Sequence, residues 1–387
     1  MKIVHIAPSA PYNDYWGYQD NLLPKYHKKL GHEVIMITTN TMHKDGYIEE
    51  TECGDYVLKD GVRVIRLERK SYGHRILTGL NSRLEVYPYL CRIKPDFIFF
   101  HGMVSSTIRE VVRYKKRINP ACVIVQDNHL DYNIGRAFDN LKDRIVRTFY
   151  RHICRETVGH VSKVYGVTHW RKQYAEDYFA VPKEKTDVLI MGADDEQIDF
   201  TNRENIRHAI RSRYGVEDGD FLIVTGGKID RRKKIHLLME ACKGLPRVKL
   251  LIFGQVQPDI REEFDRILEE NGNIIYIGWI DAGKVYDYFF AADLVFFPGQ
   301  HSVLWEQACA AKVPCVFEAW EGMDHVNNGG NSDFVKEVTA ESLREKICEL
   351  CYTPKYERMK QVARSEATDI YLYSKIAEKS LECRGVL

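Results

Sequence analysis

Five cations fall within seven positions of Thr225-Gly-Gly-Lys-Ile-Asp-Arg-Arg-Lys-Lys234: Lys228, Arg231, Arg232, Lys233 and Lys234. They follow an apolar run and precede a helical pattern, Ile235-His-Leu-Leu-Met-Glu-Ala241, with Gly226 and Gly227 at the turn. Glycine lets a backbone pass close to a ligand, and two cations from one strand-to-helix loop can neutralise adjacent phosphoryl groups. This chemistry suits a diphosphate; the plainer alternative is a solvated basic turn. A second segment, Asp293-Leu-Val-Phe-Phe-Pro-Gly-Gln-His-Ser-Val-Leu-Trp-Glu-Gln-Ala308, reads as a buried strand, a Pro-Gly break, a short polar loop and a helix with Ser302 as its N-cap. The free N–H groups of that helix start suit an anion, and Glu306 and Gln307, one turn in, are placed to accept from ribose hydroxyls. The alternative makes Glu306 a surface helix residue and His301 a satisfied loop histidine.

Other patterns carry less chemistry. Cys348-Glu-Leu-Cys351 has redox or metal spacing but lies in a helical pattern without a second such pair, so it reads as helix packing. No Asp-any-Asp motif and no clustered histidine set appears near a strand end, so no metal is expected. From Arg136 to Lys172, Arg136, Lys142, Arg144, Arg147, Arg151, Arg155, Lys163, Arg171 and Lys172 outnumber Asp139, Asp143 and Glu156. Ile145, Phe149, Tyr150 and Ile153 recur among them at helical spacing. A basic amphipathic helix can lie on anionic lipid, or can be an ordinary surface helix with its apolar side inward.

These residues need rigid elements to hold them. Short β-branched runs alternate with helical patterns: Lys2–Ile6, a helix over Gln19–Leu30, Glu33–Thr38, Phe97–Phe100, Val123–Gln126 and Val164–Val167. The alternation restarts at Phe221–Thr225 and runs to Pro314–Glu318. Continuous apolar strands separated by helices imply parallel sheets covered on both faces, hence an α/β fold of two Rossmann-like domains. A chain of 387 residues suits two cores. We place the domains at 1–195 and 196–365, with a helix over about 366–387 returning to the first. Lys+Arg 56 against Asp+Glu 55 leaves no global field for nucleic acid. The ten cysteines are scattered as in reduced cytosolic proteins. Met1–Trp16 lacks the apolar core of a signal peptide, and no apolar stretch approaches a membrane span. The expected location is cytoplasmic, with peripheral membrane contact at most.

Together these segments resemble the family 4 glycosyltransferases, whose fold is GT-B, with two Rossmann-like domains facing across a cleft. The likeness also runs through Tyr15-Trp-Gly-Tyr-Gln-Asp-Asn-Leu22, Leu30-Gly-His-Glu-Val34, Pro95-Asp-Phe-Ile-Phe-Phe-His101, Tyr165-Gly-Val-Thr-His-Trp-Arg171, Pro182–Asp194, Leu250-Leu-Ile-Phe-Gly254 and Ile277-Gly-Trp279. The resemblance implies retaining transfer of a sugar from a nucleotide diphosphate sugar to an acceptor hydroxyl, in glycan or polysaccharide synthesis, without metal or other cofactor. It places Lys228 and Lys233 on the donor diphosphate; His101, at the carboxyl end of its strand, is either a further catalytic residue facing the crevice or a core histidine. Gly17, Gly227, Gly278, Trp279, His301, Ser302, Val303, Glu306 and Gln307 fall on the donor side, while Asp127, Asn128 and His129, which follow the strand at 123–126, are placed either to bind acceptor hydroxyls or simply to build the loop. The acceptor is a glycan, a lipid-linked sugar or a small molecule. The family's first acidic residue is missing, because Pro298, Gly299 and Gln300 occupy its neighbourhood. Counting back from Pro314 puts Gln307 on the second acid, whereas a charged acceptor binds two hydroxyls more strongly and favours Glu306, the residue adopted here. Trp320–Asn331 falls in the loop that often closes on the sugar. A nucleotide-sugar epimerase, or a catalytically weak sugar-nucleotide-binding subunit, are the alternatives.

Overall fold

The computed structural model describes residues 1–44, 47–71, 82–132 and 141–383. The chain divides after Ile190: one unit holds Met1–Ile190 and the stretch from Ile376 on, the other Met191–Lys375.

The first unit is built on eight strands: β1 (Lys2–Ala7), β2 (Glu33–Thr39), β3 (Gly54–Val57), β4 (Arg63–Leu67), β5 (Phe97–Phe100), β6 (Val123–Asn128), β7 (Lys163–Gly166) and β8 (Thr186–Val188). Their order is β8-β7-β6-β5-β1-β2-β4-β3, all parallel except the edge strand β3. Phe97, Ile98, Phe99 and Phe100 of β5 are all fully buried, as a continuous apolar strand requires when both faces of a sheet are covered. Helices α1 (Gln19–Lys29), α2 (Tyr87–Ile93), α3 (Ile108–Arg117), α4 (Leu141–Thr157) and α5 (His169–Phe179) supply the cover. Within α4, Val146, Tyr150, Ile153 and Cys154 are buried, while Leu141 and Ile145 are exposed. Arg136 and Asp139 of the basic segment lie outside the described residues. Arg171 is buried against Asp131 at 3.2 Å, so it is not part of an open basic face.

The second unit has six parallel strands: β9 (Phe221–Ile229), β10 (Val248–Val256), β11 (Ile274–Tyr276), β12 (Leu294–Phe297), β13 (Cys315–Glu318) and β14 (Ser332–Val335). Their order is β11-β10-β9-β12-β13-β14, the doubly wound arrangement. Helices α6 (Arg203–Arg213), α7 (Ile235–Cys242), α8 (Arg261–Glu270), α9 (Val285–Ala291), α10 (Leu304–Ala310), α11 (Ala340–Leu350) and α12 (Pro354–Ala363) lie in this unit. Cys348 is exposed on α11 and unpaired.

Two expectations change. Gly226 and Gly227 do not make the turn; they continue β9, which ends only at Ile229. Their role is close pairing with β10: a Cβ at Gly226 would stand 2.3 Å from the Phe253 carbonyl oxygen, and one at Gly254 would stand 1.9 Å from that of Gly227. Nor does one helix run over 366–387. A 3₁₀ turn (Glu366–Tyr371) packs in the second unit, where the Tyr371 hydroxyl donates to the His325 carbonyl at 2.8 Å. Leu372 is extended, and only then does α13 (Tyr373–Ser380) begin and carry the chain back to the first unit. The break follows from Ala193, whose N–H donates to the Tyr371 carbonyl at 2.8 Å and whose carbonyl accepts from the Tyr373 N–H at 3.0 Å. Residues 384–387 of that expectation lie outside the described residues.

Candidate active site

In the second unit the strand order reverses between β9 and β12, where open parallel sheets leave a crevice at the carboxyl ends of their strands. Lys228 is the penultimate residue of β9, and the loop of residues 298–303 follows β12. Gly299 allows this loop to press on the basic turn, since a Cβ there would stand 2.4 Å from the Arg232 carbonyl oxygen. Asp230 caps that turn by accepting from the Arg232 N–H at 3.1 Å.

The five cations now separate. Arg231 pairs with Glu263 at 3.0 Å, Arg232 with Asp230 at 2.6 Å and Lys234 with Glu318 at 2.5 Å. Lys233 has no carboxylate. Its Nζ donates to the carbonyls of Gln300 at 2.5 Å and His301 at 3.3 Å. Burial pushes the amine down to about 8 from its ordinary value, which Asp230 opposes and Arg232 reinforces. Lys228 is exposed and makes no hydrogen bond or ion pair with the described residues. Lys228 and Lys233 therefore carry the positive charge of this turn that no carboxylate compensates.

The neighbouring helix corrects two expectations. Ser302 is not a side-chain cap: α10 begins at Leu304 with Val303 at its N-cap position, and Ser302 contributes only its carbonyl, to the Trp305 N–H at 2.9 Å. Glu306 does not face a ribose. It is fully buried, and its Oε1 accepts from His301 Nε2 and His325 Nε2, each at 2.8 Å. Burial alone would raise this carboxyl, but the two histidines outweigh it and hold the group well below the usual range. Gln307, one position on, is partly exposed, as are Ser302 and Val303. The side chain of His301 is 6% exposed and stands edge-on to Trp305 at 5.1 Å.

The expectation that no histidine set clusters at a strand end fails here too. His325 lies 19 residues beyond Glu306 and reaches it only through the fold, so no spacing rule marks it. Gly227, at φ +106°, comes under Leu304, and Gly278, at φ +73°, accepts from the Gly254 N–H at 2.7 Å. Trp279 beside it is 73% exposed.

In the first unit the site residues gather at the ends of β5 and β6. His101 is buried with both ring nitrogens engaged, Nδ1 on Asp127 Oδ2 at 3.0 Å and Nε2 on His5 Nδ1 at 3.0 Å, so it has no nitrogen left for substrate. Its catalytic role is corrected to a positioning one. Asp127 is fully buried, accepting also from the Gly102 N–H at 2.6 Å and from His129 at 3.3 Å. Burial alone would raise Asp127, but His129 and His101 hold it far below the usual range. Asn128 is buried too, donating to the carbonyls of Leu130 and Arg171, each at 2.8 Å, so it serves the loop and not an acceptor. Among the three predicted acceptor residues only His129, 41% exposed, reaches the surface.

Sequence reading also missed what lies behind His101. His5 Nε2 meets His27 Nδ1 at 2.9 Å, and His27 Nε2 meets Ser380 Oγ at 2.8 Å on α13. Burial lowers His5, and lowers His27 to about 3, so these two rings are neutral behind His101 and Asp127. Asp20, on the first turn of α1, lies in the field of His101, His129 and Asp127, and burial pushes its carboxyl up. The signal was a histidine inside a buried strand, His5, and another on a helix face with buried Leu23 and Tyr26, His27. Gly17 stands in an open loop with nothing within 4 Å of a Cβ, and Tyr15 and Tyr18 on either side are exposed.

Residues 206–366 match the family model described as Glycosyl transferases group 1. A processive diacylglycerol alpha-glucosyltransferase of Acholeplasma laidlawii is 25% identical over 228 residues, which span 56% of this chain and 65% of that relative, just under two thirds of its length. Among solved structures, a glycosyltransferase from Rickettsia africae matches with a TM-score of 0.69 at 17% identity, over 100% of this chain and 98% of that one. HepE of Anabaena in complex with UDP-glucose matches with a TM-score of 0.64 at 13% identity, over 100% of both chains. The two Rossmann-like units are those of the GT-B fold, and residues 206–366, most of the second unit, are similar to the group 1 glycosyltransferases.

Proposed function

We propose that the protein transfers a sugar from a nucleoside diphosphate sugar to an acceptor hydroxyl with retention of configuration, in the synthesis of a glycan or glycolipid. The observation that carries this reading is the pair Lys228 and Lys233, the two uncompensated cations at the switch point of the second unit. In the transfer, the acceptor oxygen bonds to the anomeric carbon as the bond from that carbon to the diphosphate oxygen breaks. The acceptor proton passes to the departing diphosphate, whose growing charge the two lysines stabilise. No cofactor takes part in this step. The first unit recognises the acceptor through His129, which Asp127 orients by its 3.3 Å contact. A uridine nucleotide is supported by HepE, which was solved with UDP-glucose, and a lipid acceptor by the name of the diacylglycerol glucosyltransferase.

We assign the ribose to Gln307 and not Glu306, because Gln307 is the accessible member of the pair. Calorimetric titration tests both the donor class and this register. The wild-type chain binds UDP more tightly than its 2′-deoxy form, and Gln307→Ala loses most of that preference, roughly three- to tenfold for one neutral hydrogen bond. Absence of UDP binding, or of any nucleoside diphosphate binding, would contradict the donor assignment.

No helix among the described residues is long and apolar enough to cross a membrane. A peripheral membrane attachment through the start of α4 is supported by exposed Leu141 and Ile145 beside exposed Lys142 and Arg144. The chain is expected to co-sediment with anionic vesicles at low salt. Leu141→Ser/Ile145→Ser should release it, and recovery of the wild type wholly in the supernatant would refute the attachment.

A further inference from the structure

We infer that His301, Glu306 and His325 form a binding site for one divalent ion of the zinc class, which ties the loop after β12 to the loop after β13. Their ligand atoms, two imidazole nitrogens and one carboxylate oxygen, lie within 4.8 Å of one another. This is a zinc donor set, with bonds of about 2.0–2.2 Å. Neighbouring ligands of a tetrahedral ion at such lengths stand roughly 3.3 Å apart. The two Nε2 atoms are 2.8 Å from Glu306 Oε1, so a shift of about half an ångström in each side chain admits the ion.

A second observation points to a ligand. Glu306 Oε2 and His325 Nδ1 are both buried without a hydrogen-bond partner among the described residues. Buried polar atoms are ordinarily paired, and a carboxylate oxygen sealed from water needs a cation or a donor. An ion coordinated by Oε1 sits beside Oε2 and supplies the cation that this buried oxygen lacks. The surroundings fix the ligands: Trp305 stands edge-on to His301 at 5.1 Å and stacks on Phe317 at 4.4 Å, while the His325 carbonyl accepts from the Tyr371 hydroxyl. The three protein ligands leave a fourth tetrahedral position to water. The consequence reaches the diphosphate site, because the His301 carbonyl is one of the two acceptors of Lys233. An ion that immobilises His301 immobilises that acceptor.

The test uses the full chain, stripped with a chelator and returned to chelator-free buffer, with no sugar donor present. Calorimetry with Zn²⁺ should show one ion per chain, the melting temperature should rise, and Co²⁺ should give the visible bands of a four-coordinate site. His325→Gln and Glu306→Gln should each weaken Zn²⁺ binding by at least about tenfold, while the exposed His208→Gln should not. Because a buried variant can fail to fold, X-ray absorption on the zinc-loaded wild type provides an independent reading, with a shell of nitrogen and oxygen expected. A sulfur shell from the cysteines would overturn the assignment. So would unchanged affinity in the His301→Gln/His325→Gln double variant, or no binding by the folded wild type; the cluster is then a set of hydrogen bonds only.

Discussion

Lys228→Ala is expected to weaken nucleoside diphosphate binding roughly ten- to a hundredfold, the equivalent of one charge-assisted contact of about 1.5–3 kcal/mol. It should leave the melting temperature unchanged, because Lys228 has no partner among the described residues whose loss would be felt in the fold. Lys233→Met should weaken binding comparably but also lower stability, since its amine holds the Gln300 and His301 carbonyls. The pH dependence separates the two lysines. With Lys233 titrating near 8, nucleotide affinity falls as pH rises through that value, and Lys233→Met should be flat there. Stability of the nucleotide-free chain moves the other way. The unfolded state binds more protons than the folded one between about 8 and the ordinary lysine value, so unfolding becomes harder as pH rises over that window. Calorimetry and thermal melts across it measure both trends, and an unaltered affinity in both variants would return the loop to a solvated turn.

The larger kinetic effect is expected at Asp127. Asp127→Asn keeps the shape but lets its amide point a donor at His129 or His101, so the exposed imidazole is no longer held in the required tautomer. The acceptor KM should rise roughly ten- to a hundredfold, with the donor KM nearly unchanged. His129→Gln, at a half-exposed position where folding is not at stake, should reproduce most of the rise. Steady-state kinetics on both variants decides this. A raised donor KM at constant kcat would place these residues on the donor instead.

Strand positions were legible because their signal is local: β5 and β12 coincide residue for residue with the apolar runs at 97–100 and 294–297. Lys233 was legible as a cation, but not as the one pinned to carbonyls, because Arg231, Arg232 and Lys234 look alike until Glu263, Asp230 and Glu318 are brought beside them. The choice of Glu306 over Gln307 rested on acceptor strength and ignored burial. A charged residue next to Trp305 on a seven-residue helix faces inward when two histidines await it, and one of these, His325, arrives from a distant loop. The same holds for His5, His27 and His101, which belong to three separate elements and meet only through the parallel register of β1 with β5 and the packing of α1 and α13.

Transfer itself is tested most directly by incubating the chain with a panel of nucleoside diphosphate sugars, with and without a mixture of diacylglycerol and glycan acceptors. Released nucleotide and the anomeric configuration of the product would be followed by NMR. The account predicts that one donor yields free nucleoside diphosphate in step with glycosylated acceptor of unchanged configuration, and only when acceptor is present. Epimerised nucleotide sugar, or binding across the panel without nucleotide release, would contradict it.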